Sequence, residues 1–489
     1  MIKALAMFLL ASSAFAQIRM VTLPGKGPLV SFRIVFLTGA AADPEGKAGV
    51  ADLTAAMLAQ GGTKDLTYKQ IVDAMYPMAT SVSYQVDKEM TTFSGTTHVD
   101  NLDAFYKLFR SMLLEPGWRE DDFKRLKDDA INYLRVGLRG NNDEELGKEV
   151  LYNVIYEGTP YGHESAGDIS ALEKMTIDDV KQFYRDHYTQ RDLIVGIAGG
   201  YPHTFVAQLT RDFGKLPDTR DSRPQPSQPK PIPHSRAVLV DKNTRSVAYS
   251  IGFPITVTRK TPGYPELLVV QAYFGQHRIS MGQLYQRMRE LRGLNYGDYA
   301  YIEYFPRGMY QLEPSPNLAR QQQIFQIWIR PVEPPTAKFA LRLALYELDK
   351  LVKQGLSEDE FERSRDFVSK YVTLLTKTKN AQLGYAIDSV YYGIPDYVTY
   401  IRGALAKMTR EDVNRAIRSH LRADRLQIVA VTKNAEDLKN QLVSDAPSPM
   451  TYNSAKPPEI LEEDKTVENW KLNLRPEDIR IIPVDQVFE

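Results

Sequence analysis

The sequence predicts an α+β fold built from two tandem copies of one domain, on three grounds. First, a unit recurs. Met175-Thr176-Ile177-Asp178-Asp179-Val180 leads through His187 into the apolar run Leu193 to Ala198. Met408-Thr409-Arg410-Glu411-Asp412-Val413 leads through His420 into Leu426 to Val431 at the same offset. Self-similarity at a period of about 230 residues means a duplicated domain rather than a solenoid of short units. Second, runs of two-residue alternation give way to long stretches of helical periodicity. Third, Pro217 to Pro233 carries Arg-Pro-Gln-Pro-Ser-Gln-Pro-Lys-Pro-Ile-Pro, which cannot donate ladder hydrogen bonds and prefers an extended polyproline form, a semi-rigid linker. The division that follows is 1–16, a first domain 17–215, a linker 216–236, a second domain 237–441 and an extension 442–489.

Each element has a local cause. Ile18 to Leu23 and Leu29 to Leu37 flank a Pro-Gly-Lys-Gly turn, and Val30, Phe32, Ile34 and Phe36 keep the period of a half-buried strand. In 48–60, Val50, Leu53, Met57 and Leu58 fall at i, i+3, i+7 and i+8 and mark one apolar helical face, which Gly61-Gly62 ends. Ser81 to Val86 and Met90 to Thr97 are strand-like and joined through Asp87-Lys88-Glu89. Residues 101–115 and 120–138 follow as long helices, the first with Leu102, Phe105, Leu108 and Met112 on one face. In the second copy, Ser280 to Arg292 is a helix with Leu284, Met288 and Leu291 on one side and Gly293 as its stop, and Leu294 to Tyr301 a strand. Beyond Ala446-Pro447-Ser448-Pro449 the tail is charged and carries no readable element.

Composition narrows the function. Lys plus Arg and Asp plus Glu both number 61, so no net field draws in nucleic acid or an anionic membrane. There is no cysteine, which excludes disulfides, thiolate metal sites and thiol nucleophiles. Residues 1–16 read as a secretory signal peptide: Lys3, an apolar run from Ala4 to Ala11, and Ala14-Phe15-Ala16 as the cleavage site. The expectation is an exported protein, periplasmic in a Gram-negative host. No membrane anchor is expected, since no later stretch approaches roughly 20 apolar residues.

The stretch Gly49-Val50-Ala51-Asp52-Leu53-Thr54-Ala55-Ala56-Met57-Leu58-Ala59-Gln60-Gly61-Gly62-Thr63 resembles the active-site helix of the pitrilysin/insulinase family of inverzincins, G-x-A-H-x-x-E-H-M-L-x-x-G-T. The likeness continues in family order through Gly158-Thr159-Pro160-Tyr161-Gly162, the Met-Thr helix, the linker, Leu284 to Tyr296, Gly355-Leu356-Ser357-Glu358-Asp359-Glu360-Phe361 and Tyr392-Gly393-Ile394-Pro395. It implies two domains, each a mixed sheet covered by helices, together forming half of a clamshell. In the family the two histidines bind zinc and the glutamate is the general base. Here those positions hold Asp52, Ala55 and Ala56. The window for the family's third ligand, Asp129 to Arg135, holds no glutamate, and Leu134 or a neighbour takes its place. Asp128 and Asp129 read as a solvated helix face beside Lys124, Arg125 and Lys127. The seven histidines include no pair at chelating helical spacing. No catalytic residue, metal ligand or cofactor is therefore expected in this chain.

The resemblance leaves one pair in place. The family's second half presents an arginine and, seven residues on, a tyrosine that hold substrate backbone, and Arg289 and Tyr296 keep that spacing. A guanidinium fork and a phenol can orient a peptide carbonyl and stabilise a developing oxyanion. Some family members divide these parts between two chains. The reading is a non-catalytic, substrate-binding subunit whose partner is a family member with an intact H-x-x-E-H that carries the zinc. Strand 81–87 matches the family's edge strand, to which extended peptides add. A structural scaffold subunit and a stand-alone peptide-binding protein are the alternative readings.

Overall fold

Among the residues described by the computed structural model, 18–219, 228–444 and 446–489, eleven strands form two sheets on one plan. Residues 1–16, read above as a signal peptide, and the centre of the proline-rich linker lie outside these residues. The first sheet comprises β1 (Arg19–Pro24), β2 (Leu29–Phe36), β3 (Val82–Val86), β4 (Thr91–His98) and β5 (Leu193–Gly199), in the order β1-β5-β2-β4-β3. The second comprises β6 (Arg236–Asp241), β7 (Val247–Ile255), β8 (Asp298–Tyr301), β9 (Gln323–Val332), β10 (Gln427–Thr432) and β11 (Ile479–Pro483), in the order β11-β6-β10-β7-β9-β8. Without β11 the two orders are identical, and in each the first strand is parallel to the last while the others are antiparallel. The duplication is thus a duplication of topology. Thr176 and Thr409 cap their matching helices through the same reciprocal box, with Asp179 and Asp412.

Each sheet is covered on both faces, and the second cover comes from the other copy. The Lys379–Tyr392 helix packs on β1, β2 and β5, where Leu383, Ile387 and Tyr392 meet Val21, Val35, Ile194 and Ala198. In return, the Asp143–Ile155 helix packs on β7, β9 and β10, and Val238, Val240, Val429 and Val431 join the core of the first half. This exchange explains why β5 and β10 are buried along their whole length.

The Val50–Gln60 helix departs from its expected single apolar face. It is buried nearly all round, because β3 and the Glu120–Asn132 and Ile177–His187 helices enclose it. Gly62, at φ +71°, makes the left-handed turn that leads out of it. The expected helix 120–138 is α-helical to Asn132 and then π-helical over Tyr133–Gly140. The expected helix 280–292 is shorter, a turn at Gln283–Tyr285 continued as π-helix over Gln286–Glu290. The strand after it begins only at Asp298. Gly293 and Gly297 take positive φ, and the Asn295 amide bridges Asp298 and the Arg330 carbonyl, so 294–297 turns instead of extending.

The C-terminal segment has a structural role that its sequence did not announce. β11 adds parallel to β6, and the Pro458–Val467 helix packs on the Ala337–Gln354 helix. Val487 and Phe488 enter the core of the first half, where Ile169 N–H donates to the Phe488 carbonyl at 3.0 Å. The segment therefore ties the two halves together.

Candidate functional site

The degenerate helix opens onto a chamber of about 480 Å³, walled by β3, the Glu120–Asn132 helix and a segment from the second half. Asp52 and Ala56 line it, one turn apart, while Ala55 is turned into the core of the first half. The third-ligand window contributes Asp129, Ala130 and Tyr133, whereas Leu134 is fully buried. It is the neighbour Tyr133 that takes the ligand's place. Asp129, expected on a solvated face, borders the chamber with Arg125 at 3.6 Å.

Three glutamates complete an acidic wall. Glu145 and Glu149 stand one turn apart on the Asp143–Ile155 helix, and Glu164 follows the Gly158–Gly162 turn. Burial, then the charges of Glu164 and Asp43, push the Asp52 carboxyl up to about 7, an effect that Arg307 partly offsets. Burial and the neighbouring Glu164 and Glu145 also hold Glu149 well above the usual carboxylate range. No group of His, Asp and Glu among the described residues is arranged to hold a metal ion. With Ala at two of the three motif positions, the wall does not fit a catalytic zinc: there is neither a chelating imidazole pair nor a base beside it.

The roof of the chamber is an element sequence reasoning missed. In the first copy β3 and β4 are joined by four residues, 87–90, but the matching β8–β9 connection runs over 302–322. A connection of that length has work beyond joining strands. It crosses to the first half as a strap pinned at both ends. Tyr304 hydroxyl donates to Glu149 at 2.7 Å, and Arg307 N–H donates to Glu145. Farther on, the Gln85 amide donates to the carbonyls of Pro316 and Asn317 at 3.2 and 3.1 Å. Arg320 grips the buried Asp87 with two guanidinium nitrogens, and its plane lies 3.5 Å over the Tyr304 ring. The i, i+4 spacing of Glu145 and Glu149 was the one available signal for this wall.

Arg289 and Tyr296 lie elsewhere on the second half. Arg289 pairs with Glu290 and sits 5.2 Å over the Tyr285 ring. Tyr296 is 76% exposed. Neither borders the chamber.

Comparison with known proteins places this geometry. Residues 174–367 match the model of the Peptidase M16 inactive domain. This part of the chain is an M16 inactive domain. An uncharacterized zinc protease of Streptomyces coelicolor is 23% identical over 236 residues, which is 47% of each chain, so the match spans about half of that relative. The non-peptidase homolog YmxG of Helicobacter pylori is 19% identical over 418 residues, 84% of this chain and 90% of that one. Among solved structures, a peptidase M16 inactive domain from Pseudomonas fluorescens superposes with a TM-score of 0.73 at 20% identity, covering 86% of this chain and 96% of that one. The chain keeps that fold and lacks the zinc motif.

Proposed function

We propose that the chain is the non-catalytic, peptide-binding subunit of an exported zinc metallopeptidase, completed by a family member that carries an intact H-x-x-E-H. The observation that carries this reading is the division of parts within the chain. Its own chamber retains an edge strand, β3, but has Ala55 and Ala56 where hydrolysis needs a base and a ligand. Its Arg289 and Tyr296 do not line that chamber, and Tyr296 is exposed, which leaves the pair to a second chain in this reading. An edge strand offers unpaired main-chain groups to an extended peptide regardless of sequence, so peptide capture survives the loss of chemistry.

The test is to purify the tagged mature chain from its native host and identify what co-elutes in stoichiometric amount. The expected partner carries H-x-x-E-H, and Arg289→Ala with Tyr296→Phe lowers kcat/KM of the complex on peptides by about 10- to 100-fold. Recovery of the chain alone, or unchanged turnover of the double variant, overturns the proposal and leaves a scaffold or a stand-alone binder.

A further inference from the structure

We propose that Arg307, on the strap, is the residue with which the chamber holds a carboxylate of its ligand, so that the peptides it selects are acidic ones. This inference rests on the peptide-binding reading above and adds to it the class of peptide and the residue that selects it.

The backbone presents that side chain against its own preference. Arg307 sits at φ +55°, in the left-handed region that a residue with a Cβ disfavours and that glycine takes freely. The fold nevertheless fixes this conformation. Arg307 N–H donates to Glu145, and the Arg307 carbonyl accepts from the N–H groups of Tyr310 and Gln311 at 2.8 and 3.1 Å. An arginine held where glycine would be unstrained points to a use for its side chain.

That side chain borders the chamber and is uncommitted. Arg307 is the only basic residue among the described residues that line it. Its charge acts on Asp52 of the degenerate helix, on Tyr84 of β3 and on Tyr133 of the π-helical stretch, so three walls of the chamber face it. The residue is exposed, and among the described residues its guanidinium has neither a salt bridge nor a hydrogen bond. Tyr304, on the same strap, is by contrast spent on Glu149.

The acids of the wall do not stand in the way, because each is already met. Glu145 accepts from Lys148 at 3.3 Å as well as from the Arg307 N–H. Asp129 faces Arg125 at 3.6 Å. Glu149 and Glu164 share a hydrogen bond, which two carboxyls can form only with a proton between them, and the charge left on Glu164 acts on the buried Lys88. Burial keeps Asp52 protonated up to about 7. What the wall leaves open is a guanidinium, with donors in a fixed fork and no acceptor. A carboxylate takes two of those donors at once and brings the opposite charge, whereas a main-chain carbonyl brings none. The carboxylate can come from an Asp or Glu side chain or from the C-terminus of the peptide.

Fluorescence anisotropy on the full mature chain at pH 6, below the ionisation of Asp52, separates these sources. The probes are random decapeptide pools with an uncharged fluorophore at the N-terminus. One pool is C-amidated and carries a central Glu, a second has Gln in its place, and a third is the Gln pool with a free C-terminal carboxylate. The Glu pool is expected to bind about tenfold more tightly than the amidated Gln pool, and Arg307→Gly to bring that ratio below about threefold. Arg307→Gly relieves the backbone, so its melting temperature is expected to equal or exceed that of the wild type while the preference for acid is lost, a combination that a merely structural arginine would not give. The wild-type comparison needs no variant, and Arg307→Gln repeats the test should the glycine loosen the strap. Tight binding of the free C-terminal pool supports the inference and assigns the carboxylate to the chain end. Equal binding of all three pools overturns the inference while peptide binding stands. A preference for acid that survives in Arg307→Gly and Arg307→Gln overturns the assignment to Arg307. No binding by any pool removes both this inference and the reading beneath it.

Discussion

A single carboxyl shows what the lost motif left behind. Asp52 occupies the position of a metal-binding histidine, and burial, with the charges of Glu164 and Asp43, makes the folded state hold its proton more tightly than the unfolded chain does, at about 7 against an ordinary 3.8. Between those two values the folded protein binds more protons, so stability is greatest at low pH and falls as pH rises toward 7. Asp52→Asn removes this titration. Asp52 is partly exposed by surface area, so its full shift overstates the effect. The variant is expected to match the wild type near pH 4 and exceed it by ~2 kcal/mol above pH 7.5, read from urea melts at both pH values. A constant difference across that range would show that Asp52 is not the titrating group. The same site makes the residue-scale lesson concrete. The vacancy at 52, 55 and 56 was legible because a helix motif is local. Glu149 against Glu164, or Arg320 on Asp87, was not, because each pairs residues far apart in sequence whose meeting depends on a connection with no periodicity.

At the scale of elements, what repeated was legible and what did not repeat was not. The strand orders of the two copies coincide, and the Thr176 and Thr409 helices were found by the recurring Met-Thr unit, which the structure shows capped alike. The strap at 302–322, the π-helical turns and the β11 segment have no counterpart to compare with, and their polar, proline-bearing sequences look like ordinary loop. Yet the tail is structural. Phe488 sits in the core of the first half, more than 300 residues from most of what it touches, and takes φ +56° to do so. A β-adding segment that also inserts an aromatic ring should be sensitive at the ring alone. Phe488→Ala is expected to cost about 3 kcal/mol, within the usual range for an aromatic deleted from a core, whereas Leu461→Ala on the exposed face of the preceding helix stays within ~0.5 kcal/mol. Chemical denaturation of the two variants provides the check, and equal effects would mean that the tail merely rests on the surface.

At the scale of the whole molecule, the two copies are not two independently stable domains. Each contributes the helix that covers the other's sheet, so removing one half would strip an apolar face from the other. That exchange makes cooperative unfolding the expected behaviour of a chain otherwise long enough to unfold in steps. Gly147 is the place to probe it. It lies mid-helix in the Asp143–Ile155 element, where an added Cβ would fall 3.4 Å from Ser250 Oγ and 3.6 Å from a Val431 methyl, both on the second sheet. A methyl fits there at ordinary contact distance, and Gly147→Ala should be neutral or stabilise by up to about 1 kcal/mol through helix propensity. A Gly147→Leu side chain cannot fit without pushing the halves apart, and is expected to destabilise by at least ~2 kcal/mol. Trp118 reports on the first half and Trp328 on the second, so single-tryptophan versions of Gly147→Leu can follow each half through a urea melt. If the exchanged helices bind the molecule into one unit, both midpoints shift together and by the same amount. A shift seen by one tryptophan alone would mean that the halves unfold separately, and that the interleaved helices are a contact between domains rather than a shared core.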